Sequence, residues 1–337
     1  MPLVAAIGSI LFLVVFALLP LHWVSVGAPW VPLAVTFVAI PLIDAWVGPP
    51  RGHSGGGGSP VVRYIPRLQL ILQAFLLLQA VRVAPDLGWG ELVVFALAVG
   101  TVTGGIGITV AHELTHRAAR IDRAIAKALL VSVGYGHFVV EHVRGHHVRV
   151  ATPDDPATAP RSMDVYHFIV RSVLGSFQHA WRLETMRLQH QRRSPWSLRN
   201  WVLSGSLLSL LLLAGAAVFG GEKAAVFWSL QAVWAVVLLE IINYIEHYGL
   251  QRRRIGDRYE PVREEHSWNA NYTVSNWLLF NLQLHPDHHT NVQRSFDQLR
   301  SVASAPQLPA GYPTMILLAL VPPIWFAVMD RRLPVAA

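Results

Sequence analysis

The feature that most constrains this chain is the length of its uncharged apolar stretches. No charged side chain occurs before Asp44, and a turn-forming stretch at 22–29 divides that first part in two. A helix needs about 20 mainly apolar residues to cross a bilayer. Comparable stretches recur, and they predict an all-α, polytopic membrane protein forming one domain over residues 1–337. About six transmembrane helices are expected, at about 3–22, 30–47, 64–81, 92–112, 200–221 and 224–246.

The composition supports this interpretation. Charged residues make up 14% of the chain and hydrophobic residues 53%, whereas a soluble domain carries about 25% charged residues. A freely soluble enzyme and a disordered chain are therefore disfavoured. The segment 3–19 has neither a basic start nor a small-residue cleavage site, so we interpret it as a retained span and not as a signal peptide.

The basic residues predict the orientation, because lysine and arginine are retained on the cytoplasmic side of a membrane. Of the 27 lysines and arginines, 13 lie within 117–199 and 9 follow residue 250, whereas only Arg82 and Lys223 fall on the opposite side. Both termini and the polar segments 113–199 and 247–337 are therefore expected in the cytoplasm. The net charge of +7 needs no nucleic-acid partner to explain it, although this basic face could attract an acidic protein.

Two segments are expected to lie outside the spans. The segment 49–60 contains four consecutive glycines and predicts a flexible cytoplasmic loop. The segment 315–329 is apolar but is interrupted by Pro322 and Pro323. It predicts an interfacial or core-docked helix in preference to a seventh span.

Histidine occurs 16 times and cysteine is absent, so a metal site here would use nitrogen or oxygen ligands. The sequence HELTH places His112 and His116 four residues apart, on one face of a helix. Taken alone, this motif is also the signature of zinc metalloproteases, in which Glu113 would act as general base.

Two further clusters and one separate histidine strengthen the metal interpretation. In EHVRGHH (141–147) His142 and His146 are four residues apart, which again predicts one helical face, and His147 follows directly. HPDHH (285–289) has the spacing i, i+3, i+4. His247 follows Glu240 and Asn243 at helical spacing on an apolar segment, where polar groups usually mark a site. The alternatives are a solvated basic loop for the second cluster and a satisfied interfacial histidine for His247.

The clusters offer more nitrogen ligands than one metal can use, so two metals are predicted. Imidazole-rich sites with open positions suit iron that activates dioxygen, although imidazole also binds zinc, copper and nickel. The predicted ligands are His112, His116, His142, His146, His147, His247, His285, His288 and His289. His22 and His53 are expected in loops away from the clusters. The remaining histidines are expected to be isolated and either structural or solvated, namely His137, His167, His179 and His190.

Carboxylates beside metal-binding histidines commonly accept the second ring N–H and so orient the imidazole. The residues expected in this role are Glu113, Glu141, Glu246, Asp155 and Asp287. His266 is expected either to support the site in the same way or to lie in an ordinary loop.

The motifs resemble those of the membrane alkane 1-monooxygenases, within the superfamily of histidine-rich membrane desaturases and hydroxylases. The resemblance extends from about residue 100 to the end of the chain. It is carried by HELTHR (112–117), EHVRGHHVRVATPDDPA (141–157), NYIEHYGL (243–250), HSWNAN (266–271) and LQLHPDHH (282–289). The sequence departs from the family pattern at Tyr272, Leu284, Pro286 and Thr290.

The resemblance implies a non-haem enzyme with two iron ions held by the nine histidines. Such an enzyme hydroxylates the terminal methyl group of an alkane to a primary alcohol with dioxygen. The electrons would come from rubredoxin and an NAD(P)H-dependent rubredoxin reductase, since this chain has neither cysteine nor a nucleotide-binding fingerprint. An acidic donor would suit the arginines of the basic face, including 252–254. A cytoplasmic donor implies the bacterial inner membrane, with the protein in contact with lipid.

A hydrocarbon substrate has no polar group, so an apolar channel between helices is expected. Four glycines of the fourth span would either leave room for the substrate or allow close helix packing. Bulky residues facing the channel are expected to set the chain length. The glycines are Gly100, Gly104, Gly105 and Gly107, and the bulky candidates are Phe227, Trp228 and Trp234.

Other functions stay open from the sequence. They are a xylene-type aromatic methyl monooxygenase, a fatty-acyl desaturase or hydroxylase, an intramembrane zinc protease, and a metal transporter or sensor. The HYG element at 247–249 disfavours a desaturase, and the histidines beyond HELTH disfavour a protease. The position of all clusters on one predicted side of the membrane disfavours a transporter.

Overall fold

The computed structural model describes residues 2–50 and 62–334, and the side chains from residue 10 onward. This part of the chain is mainly helical. The helices are α1 (Pro2–Ser25), α2 (Val31–Val47), α3 (Leu68–Val83), α4 (Trp89–Thr115), α5 (Arg120–Ser132), α6 (138–149), α7 (Val165–His190), α8 (Trp201–His247), α9 (Thr273–Leu278), α10 (His285–Thr290), α11 (Tyr312–Ala319) and α12 (Pro322–Met329). His22, expected in a loop, lies within the last turn of α1. His53 and most of the predicted glycine-rich loop lie outside the described residues.

Several shorter elements complete this part of the chain. A two-stranded antiparallel hairpin pairs β1 (Arg254–Ile255) with β2 (Arg258–Tyr259). π-Helical turns interrupt α2 at Val35–Ala39, α4 at Thr103–Ile108 and α6 at His142–His146. The 3-10 helices are Val62–Arg67, Ala84–Asp86, Glu264–His266 and Phe296–Gln298.

Among the described residues, three helical stretches are long and apolar enough to cross a membrane, namely Val62–Asp86, Trp89–Thr115 and Trp201–His247. Helices α1 and α2 coincide with the first two predicted spans. The boundaries predicted from the apolar stretches therefore coincide with helices. The number of crossings and the orientation stay predictions.

Helix α8 is a hairpin of two helices and not one rod of 47 residues. Gly221 leaves the helical conformation, with φ 67° and ψ −161°. Ser209 donates a hydrogen bond to the Val131 carbonyl, and Gln231 donates one to the neighbouring Ser132 carbonyl. In a continuous helix these two donors would lie about 33 Å apart. The chain therefore folds back at Gly221, close to the predicted boundary between the last two spans.

Close contact between α4 and the second half of α8 depends on glycine. A Cβ on Gly100 would lie 2.7 Å from the Gln231 carbonyl oxygen, and one on Gly104 would lie 2.8 Å from the Ala235 Cα. A Cβ on Gly107 would collide with the Gln73 side chain, whereas Gly105 has open space beside it. Three of the four glycines thus serve helix packing, and Gly105 leaves room.

Two contacts position the segments that follow α8. The buried carboxylate of Asp44, near the end of α2, accepts the backbone N–H groups of Val274 and Ser275 at 2.8 and 3.2 Å and so caps α9. The tail forms two short helices, and Trp325 packs its ring 4.9 Å from that of Tyr244. The tail is therefore docked on the end of α8, in agreement with the expectation of a core-docked helix.

Candidate metal centre

The nine predicted ligands converge from four helices, α4, α6, α8 and α10. They form two groups, in each of which one ring nitrogen per histidine lies within 4.8 Å of the others. The five-histidine group consists of His112, His116, His142, His147 and His288, and the four-histidine group consists of His146, His247, His285 and His289.

In the five-histidine group the Nε2 atoms face one another. The Nε2 atom of His142 lies 3.0 Å from that of His116 and 3.0 Å from that of His147. The Nε2 atom of His288 lies 3.2 Å from that of His147. His112 adds a buried Nε2 that has no hydrogen-bond partner among the described residues.

The π-helical turn in α6 decides which histidines meet. His147 donates its backbone N–H to the carbonyl of His142, five residues earlier. Such a turn brings residues five apart onto one face, so His142 and His147 enter the same group. The sequence interpretation, which placed His142 and His146 on one α-helical face, is wrong on this point, and His146 belongs to the other group.

In the four-histidine group, α10 supplies two ligands one turn apart. The Nε2 atoms of His285 and His289 lie 2.9 Å apart, and those of His285 and His247 lie 3.2 Å apart. His288 directly precedes His289 on the same helix, so its side chain points in a different direction, towards the five-histidine group. One short helix thus contributes to both groups.

The geometry of both groups fits a metal. Two nitrogens at right angles around one metal, each about 2.1 Å from it, would be about 3.0 Å apart. Burial, together with the neighbouring imidazoles, lowers the pKa of His142, His147, His288 and His289 well below its usual value. Burial also lowers the pKa of His116 to about 4. These rings are therefore neutral at physiological pH, which is the form that binds a metal.

Asp155 makes the contact that the sequence predicts. Its carboxylate lies 2.9 Å from Nδ1 of His146 and also accepts from the Thr158 hydroxyl at 2.6 Å. Burial acts to lower the pKa of His146, but the Asp155 carboxylate outweighs it and raises that pKa. The contact fixes the ring with Nε2 available to a metal. His247 is held in a similar way, by the backbone carbonyl of His266 at 3.3 Å from its Nδ1.

The structure corrects two of the other expected carboxylates on helices. Glu113 accepts from Arg117 at 2.9 Å, and Glu141 pairs with Nδ1 of His179 at 3.1 Å. Each is adjacent in sequence to a histidine of the site and therefore points about 100° away from it around the helix. Adjacency in sequence was thus a poor guide to which group meets an imidazole.

Two further expectations are corrected in the segment around the third cluster. Asp287 binds Arg294 at 2.5 Å and the backbone N–H of Arg300 at 2.9 Å, so it braces the loop after α10. The His266 ring faces Glu260, with 3.4 Å between Nε2 and Oε1, and not the metal centre. It is the carbonyl of His266, and not its imidazole, that supports the site.

Glu246 lies on the inner side of the four-histidine group and not behind it. Its Oε2 is 3.3 Å from Nε2 of His285, the nitrogen that faces His247 and His289. Its Oε1 accepts a hydrogen bond of 2.8 Å from the Tyr312 hydroxyl. The carboxylate is therefore placed to meet whatever the imidazoles bind.

Sequence reasoning missed three groups around the site. His179, expected to be isolated, contacts both Glu141 and Arg149. Tyr312 lies on the tail helix α11, far from the histidine motifs in sequence. Tyr135 donates a hydrogen bond of 2.5 Å to Glu240. No local sequence signal marks these contacts, because each joins residues that are 30 or more positions apart.

Three neighbouring cavities share lining residues, and the innermost of them borders the histidines. The innermost, about 20 Å³, is lined by His112, His142 and His285. It shares Ile242 with a second cavity of about 50 Å³, which contains Gly105. The second shares Ile106 and Leu278 with an outer apolar cavity of about 460 Å³ beside the exposed Trp277. Phe227, Trp228 and Trp234 line none of these three cavities, so the bulky residues expected there were misassigned.

Comparison with known proteins identifies relatives that cover most of the chain. The family described as Fatty acid desaturase matches residues 88–319. Alkane 1-monooxygenase 2 of Pseudomonas aeruginosa is 40% identical over 329 residues, spanning 92% of this chain and 87% of the relative. The alkane 1-monooxygenase of Ectopseudomonas oleovorans is 38% identical, spanning 89% and 77%. The xylene/toluene monooxygenase hydroxylase component XylM of Pseudomonas putida is 31% identical, spanning 70% and 62%.

Proposed function

Because this chain belongs to the fatty acid desaturase family, and within it to the alkane 1-monooxygenases, we propose that it hydroxylates the terminal methyl group of alkanes to primary alcohols with dioxygen. The observation that carries the proposal is the row of apolar cavities that ends at the two histidine groups. An alkane has no polar handle, so it must be recognised by the shape of such a space.

The proposed cofactor is a pair of iron ions, one in each histidine group. The donor set of imidazoles without thiolates suits a non-haem iron that keeps open positions. When bound, iron would supply the activation of dioxygen and the redox chemistry of the reaction. The protein holds the ligands at fixed positions through Asp155 and the His266 carbonyl.

The described side chains would bind and orient the substrate. The outer cavity would accept the bulk of the chain, and Ile106 and Leu278 line both it and the middle cavity. Ile242 lines both the middle cavity and the innermost one, so the reacting end would meet an apolar side chain beside the imidazoles. At that end Asn243 and Glu246 are the groups placed to hydrogen-bond the hydroxyl of the product.

The electrons are proposed to come from rubredoxin, supplied by an NAD(P)H-dependent rubredoxin reductase. Cysteine is absent from the chain, so no iron–sulfur centre of its own can relay them. Arg253, on the basic segment after α8, keeps 63% of its side chain exposed and could meet an acidic donor. With such a donor, the protein is proposed to lie in the bacterial inner membrane with the histidine groups on the cytoplasmic side.

The test combines metal analysis with product analysis. The purified protein is incubated with octane to hexadecane, dioxygen, rubredoxin, its reductase and NADH, and iron per chain is measured in the same sample. About two irons and formation of 1-alkanols would support the proposal. The test variant is His288→Ala, within the five-histidine group, which should lose metal and activity. Its matched control is His190→Ala, an exposed histidine outside both groups.

Other outcomes would redirect the assignment. Oxidation of xylene in preference to alkanes would favour the aromatic methyl reaction named for the relative from Pseudomonas putida. A new double bond in an acyl chain would favour a desaturase. One zinc per chain with no oxygen-dependent product would contradict the proposal.

A further inference from the structure

A fourth cavity, which lies away from the histidine groups, is lined by many positively charged side chains. It has a volume of about 530 Å³ and lies between α5, α6, α7 and the start of α8. Glu184 is the one acid among the residues that line it in the described part of the chain. Its cationic lining consists of Arg120, Arg123, Lys127, Arg144, Arg187 and Arg199.

Glu184 cannot neutralise this charge. Its carboxylate accepts from Arg187 at 2.7 and 2.8 Å and from Arg144 at 3.0 Å. It also accepts the backbone N–H of Trp201 at 3.0 Å and so ties down the start of α8. The other cations have no acid facing them from the cavity wall, which leaves a site for an anion of more than one charge.

The site lies where an apolar helix begins. Lys127 holds its Nζ 4.0 Å from the centre of the Trp201 ring, at the first residue of α8. Trp196 and Leu198, just before it, expose 72% and 70% of their surface. Clustered cations, tryptophan and exposed apolar side chains at the end of an apolar helix are typical of a membrane interface on its cytoplasmic side.

An exposed apolar strip continues from the cavity along α8. Ser204 lines the cavity, and the exposed Leu208 and Leu211 follow it at i+4 and i+7 on the same helical face. The strip runs about 10 Å beyond the cavity. A ligand that fills both features carries an anionic head and an apolar tail.

We propose that this cavity binds the phosphate group of an anionic phospholipid whose acyl chain lies along the strip from Ser204 to Leu211. The proposal rests on the membrane insertion assumed above and is independent of the reaction. Arg144 lies inside the π-helical turn that carries His142 and His146. A bound lipid therefore also steadies the segment that supplies both histidine groups.

The experiment measures lipid binding by native mass spectrometry of the delipidated, iron-loaded protein. Phosphatidylglycerol and phosphatidylcholine with the same acyl chains are the probes. We expect tighter binding of phosphatidylglycerol, and a loss of roughly 30-fold in its affinity in the double variant Lys127→Gln/Arg199→Gln, which removes two interfacial cations. The matched control is Arg331→Gln/Arg332→Gln, two exposed arginines near the end of the tail, which should bind as the unchanged protein does.

Additional variants separate the charge from the tail and from folding. Lys127→Arg keeps the charge and should restore binding relative to Lys127→Gln. Leu208→Asn should weaken phosphatidylglycerol binding without changing the affinity for inorganic phosphate. Melting temperatures without lipid verify that each variant is folded.

Several results would overturn the proposal. Equal affinity for both lipids, or no loss in the double variant, would mean that the cavity does not select anionic lipid. Displacement of the lipid by millimolar inorganic phosphate would reduce the cavity to a simple anion site. If phosphatidylglycerol failed to bind while the double variant lost affinity for rubredoxin, the surface would be a protein-docking site. Hydroxylation measured in parallel reports on the reaction alone, so failure of one proposal is distinguishable from failure of the other.

Discussion

Glu246 and His285 face each other across the four-histidine group, with 3.3 Å between Oε2 of the carboxylate and Nε2 of the ring. Both side chains are buried. The nitrogen concerned is also the one turned towards His247 and His289. Glu246 therefore differs from Asp155, which lies behind its imidazole and contacts Nδ1. The two carboxylates should have different effects when replaced.

Glu246→Gln is expected to lower the rate of hydroxylation by at least about tenfold. It is expected to lower the metal content by no more than one ion per chain. The amide keeps the hydrogen bond from Tyr312 but replaces the oxygen that faces His285 with an NH2 group, which cannot bind a metal. Metal content and turnover are measured on the same preparation. Glu113→Gln is the matched control because Glu113 bonds Arg117, and equal activity in both variants would contradict the expectation.

Asp155→Asn is expected to weaken metal retention by about 10- to 100-fold. The change removes the charge that holds the His146 ring with its Nδ1 proton towards the carboxylate. A chelator titration monitored by metal analysis gives the affinity. Asp164→Asn is the control, since Asp164 caps α7 away from both groups. Similar retention in the two variants would show that His146 needs no such support.

Gly105→Leu is expected to shorten the range of alkanes that are hydroxylated. Gly105 has no neighbour within 4 Å of a Cβ position and lines the middle cavity, so a larger side chain would occupy the substrate path. Gas chromatography of products from an octane-to-hexadecane mixture measures the range. Trp228→Ala should leave the range unchanged. A shift in that variant, and not in Gly105→Leu, would favour the channel expected from the sequence.

Gly104→Ala is expected to destabilise the protein by about 1–3 kcal/mol. Its Cβ would lie 2.8 Å from the Ala235 Cα, and backbone cannot move aside as a flexible side chain can. The midpoint of thermal unfolding in detergent is the measurement. A variant as stable as the unchanged protein would argue against close packing of α4 on α8.

His179→Ala is expected to destabilise the segment 138–149 by about 1–3 kcal/mol, because it leaves the buried Glu141 carboxylate without its imidazole partner. Hydrogen exchange of this segment, with metal content, reports the effect. His190→Ala, on the same helix but exposed, serves for comparison. Unchanged exchange would mean that Glu141 finds another partner.

Much of the fold could be predicted because its signals are local. Charge-free stretches gave the positions of α1, α2, α4 and the two halves of α8, since the period and length of apolar residues are properties of each segment alone. The predicted boundary between the last two spans also lies within a few residues of the turn at Gly221. The hydrogen bonds that bring α2 onto α9, or Tyr312 onto Glu246, join distant segments and leave no local trace.

The sequence by itself determined which histidines are available as ligands. They are marked by their number and spacing in three short motifs and by the histidine of the HYG element. Only the tertiary structure decided how they divide. His142 pairs with His147 because a π-helical turn replaces the α-helical period. His288 lies beside His147 of α6, whereas the adjacent His289 lies beside His285 in the other group. Spacing constrains one helix, whereas the division of ligands and the shape of the cavities depend on how several helices pack together.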